Sequence, residues 1–539
     1  MRFFALMSLQ HTSFARLKAH GLRRVGVFGL SLVLCVPTGL LHAQVNGNRL
    51  PNLGDGAEVP LGVERRLGES IAREIYRDPD YLDDPVLGDY VQSLWLTLLA
   101  SARKRGELTP ELEQQFAWEV ALIRDRSINA FALPGGYLGV HLGLISAVSS
   151  GDELASVLAH ELSHVTQRHI ARMISQQGKQ GPMVMGAMIL GMLAASRTAN
   201  ASSMSAANAV MVGGQAAAMQ SQLNFSRDME READRVGYGV MTEAGFEPQG
   251  FVTMFEKLQQ AARLNDNGSF PYLRSHPMTT ERIADAQARQ QLLSPRGAVA
   301  TTPTHAMMSA RAQVLTNPGI DVLRTLAAEA NAPALSTASK ARQAGVLYGA
   351  VMAEMKQRNF VLARQMMQRL QSLPGLELSA VRVIRLLGAE FVLASGDATQ
   401  AVALLDSKAW ALSPADRATR IQLAQSRVAT SKPAQARAAA NELALWLSQY
   451  PRDAHAWLVL ASAYELLGDS LRGIRAQAEA RAVELDYGAA VDRFKAAQIL
   501  AHQLANEGKL DTAGHMEASI IDARLRELMK LRREQTLER

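Results

Sequence analysis

The sequence contains a single cysteine, Cys35, in 539 residues. Cys35 lies in an apolar run near the N-terminus, so the chain beyond that run has no cysteine at all. No disulfide can stabilise a fold there, and no thiolate can act as a nucleophile or a metal ligand. A metal site in this chain must therefore be built from other ligands.

Residues 1–43 have the pattern of a signal peptide. They hold five Lys or Arg and no acidic residue, all ahead of the apolar run VGVFGLSLVLCVPTGLL. We expect cleavage after Ala43 and a mature chain that begins at Gln44. A retained single-span anchor is the alternative, but the run contains one proline and three glycines and is short for a bilayer about 30 Å thick. A leucine precedes Cys35, which argues against a lipoprotein site.

The chain has little net charge once residues 1–43 are set aside. Removal of their five basic residues leaves 52 Lys and Arg against 51 Asp and Glu, a net charge of +1. Such a balance gives no indication of a nucleic-acid partner. An exported, cysteine-free chain of bacterial type suits the periplasm.

Three regions follow the predicted signal peptide. Residues 44–295 mix helix and strand patterns, residues 296–335 are predicted as a linker, and residues 336–539 are almost wholly helical in pattern. With 48% hydrophobic residues, the chain can bury sizeable cores in two or three domains. The predicted fold is mostly α with a small β-sheet, in which a mixed domain precedes an all-α domain.

The C-terminal region is repetitive. Helix-turn markers recur at intervals of 38, 36, 36 and 40 residues, at Arg358-Asn359, Gly396-Asp397, Lys432-Pro433, Gly468-Asp469 and Gly508-Lys509. This spacing predicts stacked helical hairpins, whose concave surface would bind a partner chain. An ordinary helical bundle is the alternative.

One copy of the repeat resembles the tetratricopeptide family. In AWLVLASAYELLGD, Trp457, Leu460 and Tyr464 stand where that repeat has its Trp, Leu and Tyr. Gly473 and Gln477 depart from the pattern, and the other four copies are degenerate. The region is therefore predicted to be a tetratricopeptide-repeat solenoid.

A metal-binding motif lies in the stretch LASVLAHELSHVTQRHIARM. Ser150 followed by Glu153 forms a capping box, which predicts that a helix begins just before this stretch. On that helix His160 and His164 are one turn apart, so both imidazoles can reach one Zn²⁺ at about 2.1 Å. Glu161 is then rotated toward the open coordination position.

The motif does not continue as in metzincins. Those enzymes have a glycine three residues after the second histidine and a third histidine six residues after it, where this chain has Gln167 and Ile170. His169 is out of phase with the ligand pair. We expect His169 to lie on the polar face of the helix.

A later stretch, NFSRDMEREADRVGYGVMTEAGF, predicts a second helix with Glu230 and Asp234 on one face. We expect Glu230 to supply the third zinc ligand, while Asp234 accepts a hydrogen bond from the far nitrogen of a ligand histidine. Glu232 is the competing carboxylate, but it points away from the face of Asp234. A solvated charged face is the alternative interpretation.

These motifs resemble the gluzincin metallopeptidases related to the CAAX prenyl protease and the heat-shock membrane protease. The resemblance covers residues 60–290 and rests on the two motifs above together with NAFALPGGYLGVHLGLI (129–145) and SHPMTTERI (275–283). Membrane members of the family have several spans, whereas the only long apolar run here is the predicted signal. The chain is similar to periplasmic members that join the peptidase to tetratricopeptide repeats.

The resemblance implies a zincin-type domain with one Zn²⁺ per chain, held by His160, His164 and Glu230. It implies catalytic roles for Glu161, Asp234 and His276. His276 would donate to the oxyanion, or it would take the water position as a fourth ligand that silences the enzyme. Arg282 would orient the segment around His276.

The stretch INAFALPGGYLGV predicts two strands joined by a turn at Pro134-Gly135-Gly136. Beside the metal, such a hairpin would offer an edge to which an extended substrate adds by backbone pairing. An ordinary structural hairpin is the alternative. The edge would explain a preference for unfolded segments.

Taken with the motifs, the resemblance implies a periplasmic zinc endopeptidase that degrades misfolded or stalled outer-membrane β-barrel proteins and assists their assembly. Water activated by zinc and Glu161 would attack the peptide bond, and Glu161 would return the proton to the leaving amine. The repeats would dock the enzyme on the outer-membrane assembly machinery. The alternative is a chaperone or scaffold whose peptidase site is normally latched.

The segment 182–222 separates the two predicted metal-binding helices. It holds seven of the 22 methionines, and its only charged residue is Arg197. Its first apolar run is too short to span a bilayer. The segment is predicted to be a mobile connector or a Met-rich lid, and in the second case residues 183–220 would cover the cleft or make contact with the membrane periphery or with unfolded β-strands.

Overall fold

The structure is a computed structural model that describes residues 59–176, 226–263, 271–291, 301–406 and 416–537. The predicted signal peptide, its cleavage after Ala43 and the predicted lid at 183–220 lie outside these residues. Within the described ranges, no helix combines the length and the apolar character that a membrane crossing requires.

A small mixed sheet lies in the N-terminal half of the described chain. Its strands are β1 (Tyr81–Leu82), β2 (Glu119–Ile123), β3 (Ala130–Leu133) and β4 (Tyr137–His141). They are ordered β1-β2-β4-β3, with β2 parallel to β4 and the other two pairs antiparallel. β3 therefore lies at an edge of this sheet.

The hairpin predicted from INAFALPGGYLGV is confirmed, since β3 and β4 pair directly through Leu133 and Tyr137. A 3-10 turn at Pro134–Gly136 joins them. Gly135 has φ = 72° and Gly136 has φ = 84°. Both values lie in the left-handed region, where residues without a Cβ carry little strain.

Ten helices accompany this sheet among the described residues up to Gln291. They are α1 (Leu61–Tyr76), α2 (Pro85–Lys104), α3 (Pro110–Gln115), α4 (Leu142–Ala147), α5 (Gly151–Thr166), α6 (His169–Gln176), α7 (Arg227–Glu243), α8 (Gln249–Arg263), α9 (Tyr272–Ser275) and α10 (Thr280–Gln291). α5 is central, and nearly all of its side chains are buried.

The start of α5 confirms the predicted capping box. Ser150 is the N-cap, and its hydroxyl accepts a hydrogen bond from the backbone N–H of Glu153. The Glu153 carboxylate reaches back to accept from the N–H of Ser149 at 2.6 Å. The cap makes the helix begin at a defined residue, and this determines which side chains face each neighbouring element.

α7 packs closely on α5 because Gly237 has no side chain. A Cβ at Gly237 would lie 3.0 Å from the carbonyl oxygen of Ala159 and 3.1 Å from the backbone nitrogen of His160. This close approach brings the N-terminal turns of α7 beside the histidines of α5. The helix pair thereby positions the candidate site.

The C-terminal part of the described chain is all-helical. Its helices are α11 (Pro303–Leu315), α12 (Ile320–Glu329), α13 (Lys340–Lys356), α14 (Phe360–Gln371), α15 (Leu378–Ala394), α16 (Ala398–Leu405), α17 (Arg417–Ala429), α18 (Pro433–Gln449), α19 (Ala454–Leu466), α20 (Ser470–Val483), α21 (Tyr487–Asn506) and α22 (Thr512–Leu537). Each of the five predicted turns lies between paired helices, from α13 and α14 to α21 and α22. The predicted fold class, mostly α with one small sheet, is confirmed.

The segment predicted as a linker, 296–335, contains α11 and α12. Met307 and Met308 on α11 are fully buried, and α11 packs on both α4 and α13. The segment thus joins the core of the sheet-containing part to the first helical hairpin. The proposed domain boundaries themselves stay predictions.

A buried ion pair joins the two parts of the chain. Arg311 on α11 binds both oxygens of Asp84 at 2.8 and 2.7 Å and the carboxylate of Glu390 at 2.8 and 3.0 Å. It also donates to the hydroxyl of Tyr348. Two more arginines repeat this arrangement, with Arg417 between Asp83 and Asp453 and Arg382 between Asp89 and Asp416.

Candidate metal centre

The histidines of the H-E-x-x-H motif lie side by side on α5. Their Nε2 atoms are 3.0 Å apart, and both side chains are buried. Because His160 and His164 are four residues apart, one turn of helix is enough to align them. The pair projects toward α7.

Glu230 in the first turn of α7 completes a three-residue group. Its Oε2 lies 3.5 Å from Nε2 of His160, and its Oε1 lies 3.5 Å from Nε2 of His164. Glu230 is buried, and the guanidinium of Arg282 lies 2.8 Å from Oε2. Although burial opposes ionisation, the imidazoles of His276 and His160 keep the pKa of Glu230 well below its usual value.

His276 approaches the same point from the other side. It follows α9, and its Nδ1 lies 3.3 Å from Nε2 of His160 and 3.0 Å from Oε1 of Glu230. The ring of Tyr272 stacks on it at a centroid separation of 4.5 Å. Both side chains are buried, so His276 is held in place by its neighbours.

These four residues fit a single metal ion. One donor atom from each of His160, His164, Glu230 and His276 lies within 4.8 Å of the others. Zinc with bonds of about 2.0–2.1 Å and tetrahedral angles separates its ligand atoms by about 3.3 Å. The observed contacts of 3.0–3.5 Å agree with that value. Imidazoles and a carboxylate are ordinary zinc ligands, so the cluster suits zinc.

Glu161 lies between this cluster and the edge strand. Its Oε2 accepts a hydrogen bond of 2.9 Å from the backbone N–H of Ala132 on β3. Its Oε1 lies 3.4 Å from Nε2 of His276 and forms no hydrogen bond within the described part of the chain. Burial raises the pKa of Glu161, since the carboxylate is removed from water.

Asp234 orients one of the two α5 histidines. Its Oδ1 lies 3.0 Å from Nδ1 of His160, on the side of the ring away from the cluster. Arg282 binds both oxygens of Asp234 and also donates to the carbonyl oxygen of Pro277. Burial disfavours the charged form of Asp234, but the hydrogen bonds from Arg282 hold its pKa below the usual value.

The expectation that His169 lies on a polar helix face is wrong. α5 ends at Thr166, and Arg168 has φ = 54°, so the chain turns before α6 begins at His169. His169 is fully buried, and its Nδ1 lies 2.8 Å from Nδ1 of His164. Counting residues along one continuous helix therefore gave the wrong direction for this side chain. The helical period of α5 could not have found this contact, because α5 ends before His169.

The competing carboxylate, Glu232, lies outside the cluster. Its Oε2 is 3.0 Å from Nε2 of His169 and 2.7 Å from Nη1 of Arg172. The structure thus places Glu230, rather than Glu232, beside the α5 histidines. Sequence reasoning also missed the contact of Ala132 with Glu161, which joins elements 29 residues apart.

Comparisons with known proteins agree with this site. Residues 101–290 match peptidase family M48. The chain is 34% identical over 268 residues to a putative beta-barrel assembly-enhancing protease of Vibrio cholerae, a match that covers 49% of this chain and 52% of that protein. It is 32% identical over 256 residues to the beta-barrel assembly-enhancing protease of Escherichia coli K12, covering 46% and 49%.

A longer match joins the chain to the protein of the same name in Yersinia pestis, with 29% identity over 452 residues, 83% of this chain and 86% of that protein. For the Vibrio and Escherichia relatives, the match spans about half of their length. All four residues of the cluster lie within the stretch that matches the peptidase family. The zincin-type domain followed by an all-helical region, expected from the motifs, is thereby confirmed.

Proposed function

We propose that this chain, whose residues 101–290 match peptidase family M48, is a zinc-dependent endopeptidase that acts on outer-membrane β-barrel proteins. It would assist their assembly and degrade those that are misfolded or stalled. The observation that carries the proposal is the convergence of His160, His164 and Glu230 beside a buried Glu161 and the edge strand β3. The names of the relatives, which refer to assembly of β-barrel proteins, support the substrate class.

The metal would be held by His160, His164 and Glu230. When bound, zinc supplies a Lewis acid that polarises the scissile carbonyl and makes water more acidic. Asp234 fixes the ring of His160 through its Nδ1. With the proton on Nδ1, the Nε2 lone pair of His160 is directed toward the metal position.

Glu161 is the general base in this proposal. It takes a proton from the attacking water and passes it to the leaving amine as the peptide bond breaks. Its raised pKa suits both transfers, because a base works best when its pKa is near the working pH. The hydrogen bond from Ala132 holds the carboxylate in place, so its orientation does not depend on substrate.

The edge strand β3 would bind the substrate backbone. An unpaired strand edge recruits an extended peptide by main-chain hydrogen bonds, and unfolded β-barrel segments have strong strand propensity. The N–H of Ala132 is already donated to Glu161, so a peptide would pair with other backbone groups of β3 and would pass close to the base. The hairpin thus has a structural role and a role in substrate binding.

His276 supports a second candidate function. Its Nδ1 lies at ligand-like distances from His160 and Glu230, so it is placed to occupy the fourth metal position that water needs. In that state the peptidase is latched, and the chain acts as a chaperone or scaffold for outer-membrane protein assembly. In a state where His276 does not bind the metal, its imidazole would instead donate to the oxyanion.

Location and partners follow from the same proposal. The chain would be exported to the periplasm by a cleaved signal peptide. The helical hairpins would act as tetratricopeptide repeats and dock on the outer-membrane assembly machinery. Residues 183–220 would cover the cleft or contact the membrane surface.

The test compares the purified protein with its Glu161→Gln variant, for zinc content and for cleavage of an unfolded outer-membrane β-barrel protein. We expect about one zinc in both proteins, cleavage by the wild type alone, and loss of cleavage with a chelator. Loss of zinc in Glu161→Gln would contradict its role as a base. If both proteins hold zinc and neither cleaves, the His276→Ala substitution is made in the wild-type chain. Cleavage by that variant would show that His276 had blocked the metal site.

A further inference from the structure

A chain of polar side chains leads away from the metal cluster at His164. Nδ1 of His164 lies 2.8 Å from Nδ1 of His169, and Nε2 of His169 lies 3.0 Å from Oε2 of Glu232. The same oxygen is 2.7 Å from Nη1 of Arg172. The proposed function uses none of these groups except His164.

The protons along this chain can be assigned from the metal outward. A metal bound to Nε2 of His164 leaves the proton of that ring on Nδ1, which therefore donates to Nδ1 of His169. His169 must then accept at Nδ1 and hold its own proton on Nε2. That proton is donated to the carboxylate of Glu232, which can only accept when ionised. Each group has one consistent role.

We propose that His169 is a positioning residue for the metal ligand His164. This inference rests on the proposed function, because it requires His164 to bind the metal. His169 accepts the Nδ1 proton of His164, so that the Nε2 lone pair faces the ion. Glu232 keeps His169 in the tautomer that can accept.

The two histidines of the motif are thus oriented by different chemical groups. A carboxylate, that of Asp234, lies beside Nδ1 of His160, whereas a neutral imidazole, that of His169, lies beside Nδ1 of His164. Hydrogen bonds of this kind raise ligand basicity and fix the ring, and their loss costs about 10–100-fold in metal affinity. The ring of His164 is therefore oriented by His169, and His169 is in turn held by Glu232.

The chain of hydrogen-bonded side chains also predicts that its members affect zinc affinity to different degrees. His169 is fully buried, while the side chain of Glu232 is 29% exposed and that of Arg172 is 48% exposed. Water can replace Arg172 at the outer end, but no water can easily take the place of the buried ring. We expect the effect on zinc affinity to fall in the order His169, Glu232, Arg172.

The experiment measures zinc affinity by chelator competition in the Glu161→Gln background, so that proteolysis does not enter the readout. His169→Leu removes the acceptor and should weaken zinc binding by about 10–100-fold. His169→Asn places an amide oxygen near the former Nδ1 and should recover most of the affinity. The visible spectrum of the cobalt-substituted protein should shift in His169→Leu and return toward that of the parent in His169→Asn.

A matched control is His305→Leu, which removes another buried imidazole, one that contacts Tyr90 and the carbonyl oxygen of Val148. It should lower thermal stability and leave zinc affinity unchanged. Unchanged affinity and an unchanged cobalt spectrum in His169→Leu would overturn the inference while leaving the proposed function intact. A parent protein that binds no zinc would instead overturn the proposed function.

A second pair of variants decides the matter if His169→Leu does not fold. Glu232→Ala should bind zinc about tenfold more weakly than the parent, at the low end of the range for such partners. Arg172→Ala should bind it nearly as well as the parent. A zinc affinity in Glu232→Ala equal to that of the parent would contradict the proposed series of hydrogen bonds from His164 through His169 to Glu232.

Discussion

Arg282 and Asp234 form a buried, two-point ion pair. Nε and Nη2 of Arg282 lie 2.7 and 2.8 Å from the two oxygens of Asp234, and both residues are buried apart from a small exposed fraction of each. Nη1 of the same guanidinium lies 2.8 Å from Glu230. One arginine thus holds both a candidate metal ligand and the carboxylate that orients another.

Replacement of Arg282 by methionine should destabilise the protein by about 3–5 kcal/mol, because two buried carboxylates lose their counter-charge. Zinc affinity should also fall, since Asp234 and Glu230 lose their common anchor. Urea unfolding and chelator competition measure the two effects. Arg289→Met, on the same helix, is the control and should change neither; equal behaviour of the two variants would contradict the role of Arg282.

Gly237→Ala should destabilise the pair formed by α5 and α7. The added methyl group would meet the backbone of Ala159 and His160 at 3.0–3.1 Å, and backbone atoms cannot move aside as a side chain can. We expect a loss of about 1–3 kcal/mol, together with weaker zinc binding because Glu230 moves with α7. Thermal unfolding and zinc titration are the measurements.

Gly239→Ala is the matched control on the same helix. The nearest atoms to its new methyl group would be those of the guanidinium end of Arg105, which is the far end of a flexible side chain. Alanine also favours helix over glycine by up to about 1 kcal/mol. Stability should therefore be unchanged or higher, and a loss as large as that of Gly237→Ala would refute the close-approach argument.

His141 should make stability depend on pH in the mildly acidic range. Burial lowers the pKa of His141 to about 4, although the nearby carboxylate of Asp125 opposes the shift. Below its unfolded pKa of about 6.5, the unfolded state binds a proton that the folded state does not. The stabilisation is therefore fully present above about pH 6.5 and is lost as the pH falls toward 4.

At pH 5, His141 alone should lower the free energy of unfolding by about 2 kcal/mol relative to its value at pH 7.5. Urea unfolding of the wild type and of His141→Asn at the two pH values isolates the effect, because other titrating groups are common to both proteins. The difference in stability between the two proteins should narrow at pH 5. A difference independent of pH would show that the pKa of His141 is the same in the folded and unfolded states.

Arg311→Met should loosen the contact between the sheet-containing part and the helical hairpins. It would leave the buried carboxylate of Asp84 and the partly exposed carboxylate of Glu390 without their shared counter-charge, at a cost of about 3 kcal/mol. We expect a lower unfolding midpoint and earlier proteolytic cleavage between the two parts. Arg324→Met, on an exposed face of α12, is the control, and matching proteolysis patterns for the two variants would argue against a structural role for Arg311.

Much of the metal centre could be predicted from local patterns. His160 and His164 are one helical turn apart, and so are Glu230 and Asp234, so a correct helix assignment determines which side chains share a face. The capping box set the start of α5 in the same way. The five turns of the C-terminal region were equally readable, since each hairpin repeats a local spacing of 36–40 residues.

Other relationships depended on tertiary structure. His169 contacts His164 because the chain turns at Arg168, which ends the helical periodicity on which the prediction relied. Arg311 meets Asp84 across 227 residues, and no local period predicts such a pairing. The sequence by itself therefore determined the ligand types and their helical spacing. Packing of distant segments decided which buried partners orient those ligands, because only the folded chain brings them within hydrogen-bond distance.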